Sequence, residues 1–343
     1  MAVVPRGSRV FRIGVLLACG VFLAPLLSAG RLPVVWPTPN RAFLEGKPIE
    51  DYVQPTVSGR IESGLFGCTR NGGTRFHEGI DLKTIGRDGR GRATDPVFAA
   101  MPGTVAHVNR VAGNSSYGIY VVLLHDYDRV RFYTLYAHLA SVEPGLAPGT
   151  EVPQGSVLGI MGRTAAGYVI PRSRAHLHFE IGLRLSDHFE RWYERKRFGS
   201  PNTHGPWNGM NLAGWDPLRF YRLSLDGRID GARDFLLREP VAVRVRVAYP
   251  GIPGLVRRSP GLVEGGPGDR RGGWEVDFSS YGVPLRFRAV AAADLPAGSP
   301  EVEIVGFDAG SAFPPCRDLL EKAGDGHRPG ADLARAIELI FGG

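Results

Sequence analysis

Cysteine, lysine and helical periodicity are all scarce in this chain. Three cysteines in 343 residues (Cys19, Cys68, Cys316) are too few for a disulfide framework. Lys47, Lys83, Lys196 and Lys322 are its only lysines, against 37 arginines. That bias follows from genome composition as readily as from function. No long segment with a 3.6-residue apolar period interrupts residues 55–185, which argues against a helical bundle there. No internal repeat stands out. What remains is an ordinary globular composition, 43% hydrophobic and 22% charged, at a length that suggests about two domains. The net charge of +7 favours anionic partners, nucleic acid or cell-envelope polymer, without choosing between them.

The N-terminus narrows the choice. Arg6, Arg9 and Arg12 precede a charge-free run from Ile13 to Gly30 that ends in Leu27-Ser28-Ala29. This reads as a secretory signal over residues 1–29, cleaved near Ala29, and places the protein in the periplasm or cell envelope. An uncleaved membrane anchor ranks second, because 18 residues barely span a bilayer. Lipidation at Cys19 ranks third, because Val21-Phe22-Leu23 stays apolar where a polar tether is expected. Loss of the leader leaves Cys68 and Cys316. In an oxidising compartment they are a candidate disulfide, with two unrelated buried thiols an equal alternative.

Residues 30–54 carry Pro33, Pro37, Pro39 and Pro48 and read as an exposed lead-in. Short apolar runs then follow at Val97–Ala100, Thr104–Val108, Ile119–Leu124 and Arg131–Tyr136, split by Pro102-Gly103, Gly113-Asn114 and Pro148-Gly149. They predict a mainly β, antiparallel domain over 55–218. Residues 186–215 break its pattern as an insertion, with a short charged helix over 187–196. Strands are expected at 240–247, 274–278, 284–290 and 301–307, forming a second, β-rich domain over 219–343. Helices are expected at 318–322 and 331–341, and Gly265–Gly273 reads as a loop.

Two segments carry chemistry. His77-Glu78-Gly79-Ile80-Asp81 offers a histidine and a carboxylate four residues apart. His176-Leu177-His178 offers two histidines that share a face if the segment is a strand. Two histidines and one carboxylate can hold a zinc ion with one position open for water, and zinc makes water a better nucleophile near neutral pH. Either His176 or His178 could be the third ligand on this reading. His-x-His alone is a weak signal.

His-Glu-Gly-Ile-Asp-Leu (77–82), Leu-Tyr-Ala-His-Leu (135–139) and His-Leu-His-Phe-Glu-Ile (176–181), in this order, resemble the lysostaphin/LytM-type zinc metallopeptidases, the β-lytic metalloendopeptidase family. Asp95–Ala100, Gly103-Thr104-Val105 and the glycines at 149, 155, 159 and 162 extend the likeness over about residues 58–182. The resemblance implies an antiparallel β domain with an open groove and one zinc at its floor. It implies His77, Asp81 and His178 as ligands. His176 and His138 match the two auxiliary histidines: His176 as general base and His138 for the oxyanion and proton transfer, with the reverse assignment close behind. Tyr136 and His138 are expected on one strand face, with Tyr136 packing. Glu180 either orients His178 or is a solvated strand-end charge. Glu78 is not assigned as a base, because Asp81 stands where a His-Glu-x-x-His enzyme has its second histidine. His125 reads as structural, and His107, His188, His204 and His327 as exposed or hydrogen-bonded.

The basic loop Arg163–Ala175 departs from the family's short turn. Arg172 and Arg174 read as solvated before they read as carboxylate-binding. The resemblance implies an exported zinc endopeptidase acting on cross-links or stem peptides of bacterial peptidoglycan, with other envelope proteins as further partners and no nucleic acid. Membrane contact is expected only through an uncleaved leader. The competing readings are a non-catalytic peptidoglycan binder or activator of another hydrolase, and an envelope protein with an occluded groove. The intact set of five residues favours the enzyme.

Overall fold

The computed structural model describes residues 1–2, 30–266, 271–295 and 301–342. The leader expected over 1–29 falls almost wholly outside them, as do residues 267–270 of the Gly265–Gly273 stretch. Among the described residues no helix is long and apolar enough to cross a membrane.

The protein is mainly β. Its strands are β1 (Gly67–Arg70), β2 (Arg75–His77), β3 (Ile80–Lys83), β4 (Pro96–Phe98), β5 (Gly103–Asn109), β6 (Ile119–Tyr127), β7 (Val130–Val142), β8 (Glu151–Val152), β9 (Val157–Met161), β10 (His176–Arg184) and β11 (Leu212–Trp215). They continue as β12 (Val243–Val247), β13 (Val263–Glu264), β14 (Arg271–Phe278), β15 (Pro284–Ala291), β16 (Val302–Phe307), β17 (Leu320–Ala323) and β18 (Gly326–Pro329). The helices are α1 (Phe189–Lys196), α2 (Pro217–Leu225), α3 (Ala232–Arg238), α4 (Gly254–Arg258) and α5 (Ala331–Phe341).

Nine strands form one antiparallel sheet in the order β11-β10-β7-β6-β5-β8, with β3 on β10 and the β4-β9 pair joined to β7. Alternation divides the faces of β7 and β10. Leu177, Phe179, Ile181 and Tyr136 enter the large core, whereas Tyr133, Leu135 and Ala137 line the opposite face with Tyr120, Val122 and Trp207. His176, His178 and Glu180 share the second face, so β10 carries core on one side and polar chemistry on the other. β12–β16 form a five-stranded sheet, order β13-β15-β14-β12-β16, in which only β13-β15 is parallel.

Four expectations change. Arg271-Gly272-Gly273, expected to close a loop, instead open β14. Residues 30–54 are not an exposed lead-in: Leu32, Trp36, Ala42, Tyr52 and Val53 are buried. Trp36 stacks on Phe43 and meets Tyr221 edge-on, so the aromatic residues decide the placement and the prolines only shape the path. The stretch after Asp216 is helical before it is β. Asp216 caps α2 by accepting from the amides of Leu218 and Arg219, with Pro217 at the first helical position. Residues 318–322 are not a helix but run into β17, which pairs with β18 across a turn at Gly324. The helices at 189–196 and 331–341 form as expected.

The candidate thiols Cys68 and Cys316 are a disulfide, joined across a sequence separation of 248 with Cα atoms 5.3 Å apart. It does not act alone. Phe66 and Phe76 pack on Tyr281 at 5.2 and 5.3 Å between centroids. The Arg317 guanidinium lies 3.7 Å from the centre of the Phe76 ring, close enough for a cation–π contact. The β1-β2 hairpin is therefore clamped to the C-terminal region at its base.

Candidate metal centre

β3 lies antiparallel to β10 with Asp81 directly opposite His178. β2 delivers His77 to the same place, and Gly79 allows the tight passage between them: a Cβ there would collide with the Phe179 carbonyl oxygen. His77 Nε2, Asp81 Oδ1 and His178 Nδ1 form a triangle with edges of 3.0 Å (His77–His178), 3.0 Å (His178–Asp81) and 3.2 Å (His77–Asp81). Tetrahedral zinc with bonds of about 2.0–2.1 Å sets its ligands about 3.3–3.4 Å apart. The triangle fits a metal of that size to within a few tenths of an ångström. These three are the residues among the described ones whose donor atoms cluster as metal ligands do.

The outer nitrogen of each imidazole fixes its tautomer. A carbonyl can only accept, so His77 Nδ1 donates to Leu65 O at 2.7 Å and its Nε2 presents a lone pair to the triangle. His178 Nε2 donates to Glu180 Oε1 at 2.9 Å, which turns Nδ1 inward. Glu180 is wholly buried and also accepts from the Tyr133 hydroxyl at 2.8 Å. It is thus the orienting carboxylate and not a solvated strand end.

His176 and His138 stand beside the triangle. His176 Nδ1 donates to Arg174 O at 2.7 Å, and its Nε2 lies 3.6 Å from Asp81 Oδ1. His138 Nδ1 donates to Thr164 O at 2.8 Å. Both rings keep Nε2 as an acceptor, and their centroids are 4.9 Å apart. His138 does not reach the site by sharing a face with Tyr136. Tyr136 turns into the core, packs on Phe179 and accepts from the Ala100 amide. His138 has φ of +61°, and this left-handed residue swings its ring to the opposite face. Such a conformation costs about 1–2 kcal/mol in a non-glycine residue.

Burial is the first influence on every ring here. It lowers the pKa of His77, His176 and His138, the last well below its ordinary value with further help from the repulsion that protonation of His176 or His178 beside it would add. All three are neutral near pH 7. Burial also acts to lower His178, but Asp81 and Glu180 overcome it and raise its pKa to about 9. Burial pushes Asp81 up, while His77, His176, Arg70 and His178 hold it well below the usual carboxylate range.

Arg70 was not singled out from the sequence. Its Nη2 lies 2.7 Å from both His77 Nε2 and Asp81 Oδ2. The His77 lone pair cannot serve this N–H and a metal at once, so a bound metal must take His77 from Arg70, while Asp81 Oδ2 can keep it. Tyr117 was also missed. It is half-buried, and its ring lies tilted 5.7 Å from that of His178. Burial, then the Glu180 charge, push its hydroxyl pKa well up.

Arg172 and Arg174 do not face a ligand. Arg174 donates to the Pro55 and Thr56 carbonyls, and Arg172 to Arg90 O. Outside the site, His125 is structural, bonded to Pro102 O and Thr134. His204 bonds Tyr120 and His327 packs on Phe307. His107 departs from expectation: its Nε2 is buried without a partner among the described residues.

Residues 75–188, which hold every one of the five histidine and aspartate positions, match the model of Peptidase family M23. Over this segment the chain is similar to that family. That bears out the family resemblance for the third of the chain it covers. No curated protein matches. Among solved structures, the lysostaphin catalytic domain from Staphylococcus simulans is 20% identical, with 51% of this chain and 95% of that one covered, at a TM-score of 0.30. A putative glycyl-glycine endopeptidase lytM from Ruminococcus gnavus is 21% identical, covering 52% and 60%, at 0.31. A zinc containing peptidase from Vibrio cholerae is 24% identical, covering 38% and 35%, at 0.26.

Proposed function

We propose that this protein is an exported zinc endopeptidase that hydrolyses peptide bonds of bacterial peptidoglycan, in cross-links or stem peptides. His77, Asp81 and His178 are its ligands for a single Zn2+. The observation that carries this reading is the 3.0–3.2 Å donor triangle flanked by two neutral histidines, within a segment that matches a peptidase family. We further take residues 55–218 as the catalytic unit and 219–343 as a clamp on the hairpin that bears His77.

Zinc at this position supplies Lewis acidity toward water and the scissile carbonyl. The chain does the rest. His176, anchored through Nδ1 on Arg174 O, holds an acceptor Nε2 on the site side and takes the proton from the attacking water. His138, anchored on Thr164 O, receives that proton from His176, whose ring centroid is 4.9 Å away, stabilises the oxyanion while it carries the proton, and then passes it to the leaving amine. Glu180 and the Leu65 carbonyl keep the two ligand rings turned inward.

Purified peptidoglycan should be digested with the protein untreated, chelated and zinc-restored, and the products identified by mass spectrometry. Zinc-dependent release of peptides is expected, and their masses name the bond. Bound zinc at one per chain with no release from any peptidoglycan would count against the substrate. No zinc and no release would favour a binding or activating role.

A further inference from the structure

We propose that Arg75 selects substrates bearing a free carboxylate on the residue next to the scissile amide. This deepens the peptidase reading above and rests on it.

The placement comes from β2. Side chains alternate along a strand, so Arg75 shares the face of His77 while Phe76 between them packs on Tyr281 and under Arg317. Arg75 accordingly lines the cavities on both sides of the ligand triangle. One of these, about 390 Å³, holds Asp81, His138 and His176 at one end, so a group seated in it lies beside the reacting carbonyl.

Charge singles out Arg75 there. Three arginines line that cavity. Arg70 is engaged by Asp81, His77 and the Ser63 carbonyl, and Arg174 by the carbonyls of Pro55 and Thr56. Arg75 is exposed, and its side chain has no hydrogen bond or ion pair among the described residues. Asp81 is the cavity's only acid and is already paired with Arg70. Glu78 lines the cavity on the Tyr117 side and not this one. The uncommitted charge is therefore one guanidinium, whose planar fork matches a carboxylate through two parallel N–H bonds.

Exposed apolar side chains also line this cavity. Val57 and Val169 are 77% and 80% exposed, so little of the protein covers them. A free guanidinium in a cavity that also has exposed apolar lining suits a short aliphatic residue that ends in a carboxylate. It suits a run of glycines or a cationic residue poorly.

The test uses the full zinc-loaded chain and two cross-linked stem peptides that differ only beside the cross-link, one with a free carboxylate and one with a carboxamide. Binding is followed by fluorescence anisotropy within the mixing time, and cleavage by mass spectrometry of the same samples. The carboxylate peptide should bind roughly tenfold more tightly. Arg75→Ala should remove the difference by weakening that peptide alone, and Arg75→Lys should keep part of it. If the peptides are cleaved, the effect should fall on KM more than on kcat. Equal affinity in the unaltered chain, equal weakening of both peptides by Arg75→Ala, or no binding of either would overturn the proposal. Carboxylate-selective binding without cleavage would leave Arg75 its role and remove the peptidase reading.

Discussion

Glu180 accepts the Nε2–H of His178 at 2.9 Å while no part of its side chain reaches solvent. An acid so buried persists only when its oxygens are satisfied, and the Tyr133 hydroxyl satisfies the other one at 2.8 Å. The pair makes a charge two residues from His178 part of the candidate metal centre.

Glu180→Gln keeps the shape and one acceptor but removes the charge. Zinc affinity should fall roughly 10–100-fold, read by competition with a chromophoric chelator. Unchanged affinity would mean that Glu180 serves packing alone. Glu180→Ala should in addition cost folding stability, because the Tyr133 hydroxyl and His178 Nε2 would each lose a buried partner, at about 1–3 kcal/mol apiece.

The ligand and auxiliary histidines separate experimentally. His178→Ala leaves two donors of three and should lose zinc on dialysis. His138→Ala leaves the triangle intact, so it should retain zinc at one per chain while activity drops roughly 10²–10⁴-fold. A His178→Ala protein that is zinc-free and still active would sink the ligand assignment.

The chelated protein should be most stable near pH 6.5. His77, His138 and His176 have folded pKa values below the ordinary 6.5, so the unfolded chain binds more protons as pH falls through that value and stability declines on the acid side. His178 has the opposite sign. Raised to about 9, it contributes fully below 6.5, and that contribution is lost as pH rises from 6.5 through about 9. Melting temperatures of chelated protein across pH 5–10 would show the maximum. Zinc should abolish the alkaline decline, because the metal replaces the proton on His178 Nδ1. A chelated protein whose stability rises steadily to pH 9 would contradict the raised His178.

The Cys68–Cys316 bridge closes a loop of 248 residues and holds the hairpin whose last residue is His77. Replacing both cysteines with serine should lower unfolding free energy by about 2–4 kcal/mol in denaturant titration. It should also weaken zinc binding, since β1 and β2 would keep only the aromatic and Arg317 contacts at their base. Lost stability with unaltered zinc affinity would show that the clamp does not reach the site.

The chemistry was legible because it is local. His77 to Asp81 and His176 to His178 are short spacings whose side-chain directions follow from strand geometry, and the strands around them alternate plainly in sequence. What remained hidden depends on partners far along the chain. Whether Glu180 is solvated turns on Tyr133, 47 residues away, and the place of Arg70 turns on a hairpin held by Cys316. The tract at 30–54 looked exposed because its prolines are conspicuous, yet burial is set by where Trp36 and Tyr52 find aromatic neighbours. His138 shows the limit most plainly. Period-2 alternation assigns it to the core face with Tyr136, and only a left-handed backbone at that one residue, held by tertiary packing, turns it toward the ligand triangle. The sequence by itself determined the donor types, their spacing and the strands that carry them. Tertiary structure alone decided which side chains meet, because contacts across tens or hundreds of residues are fixed by packing and not by local preference.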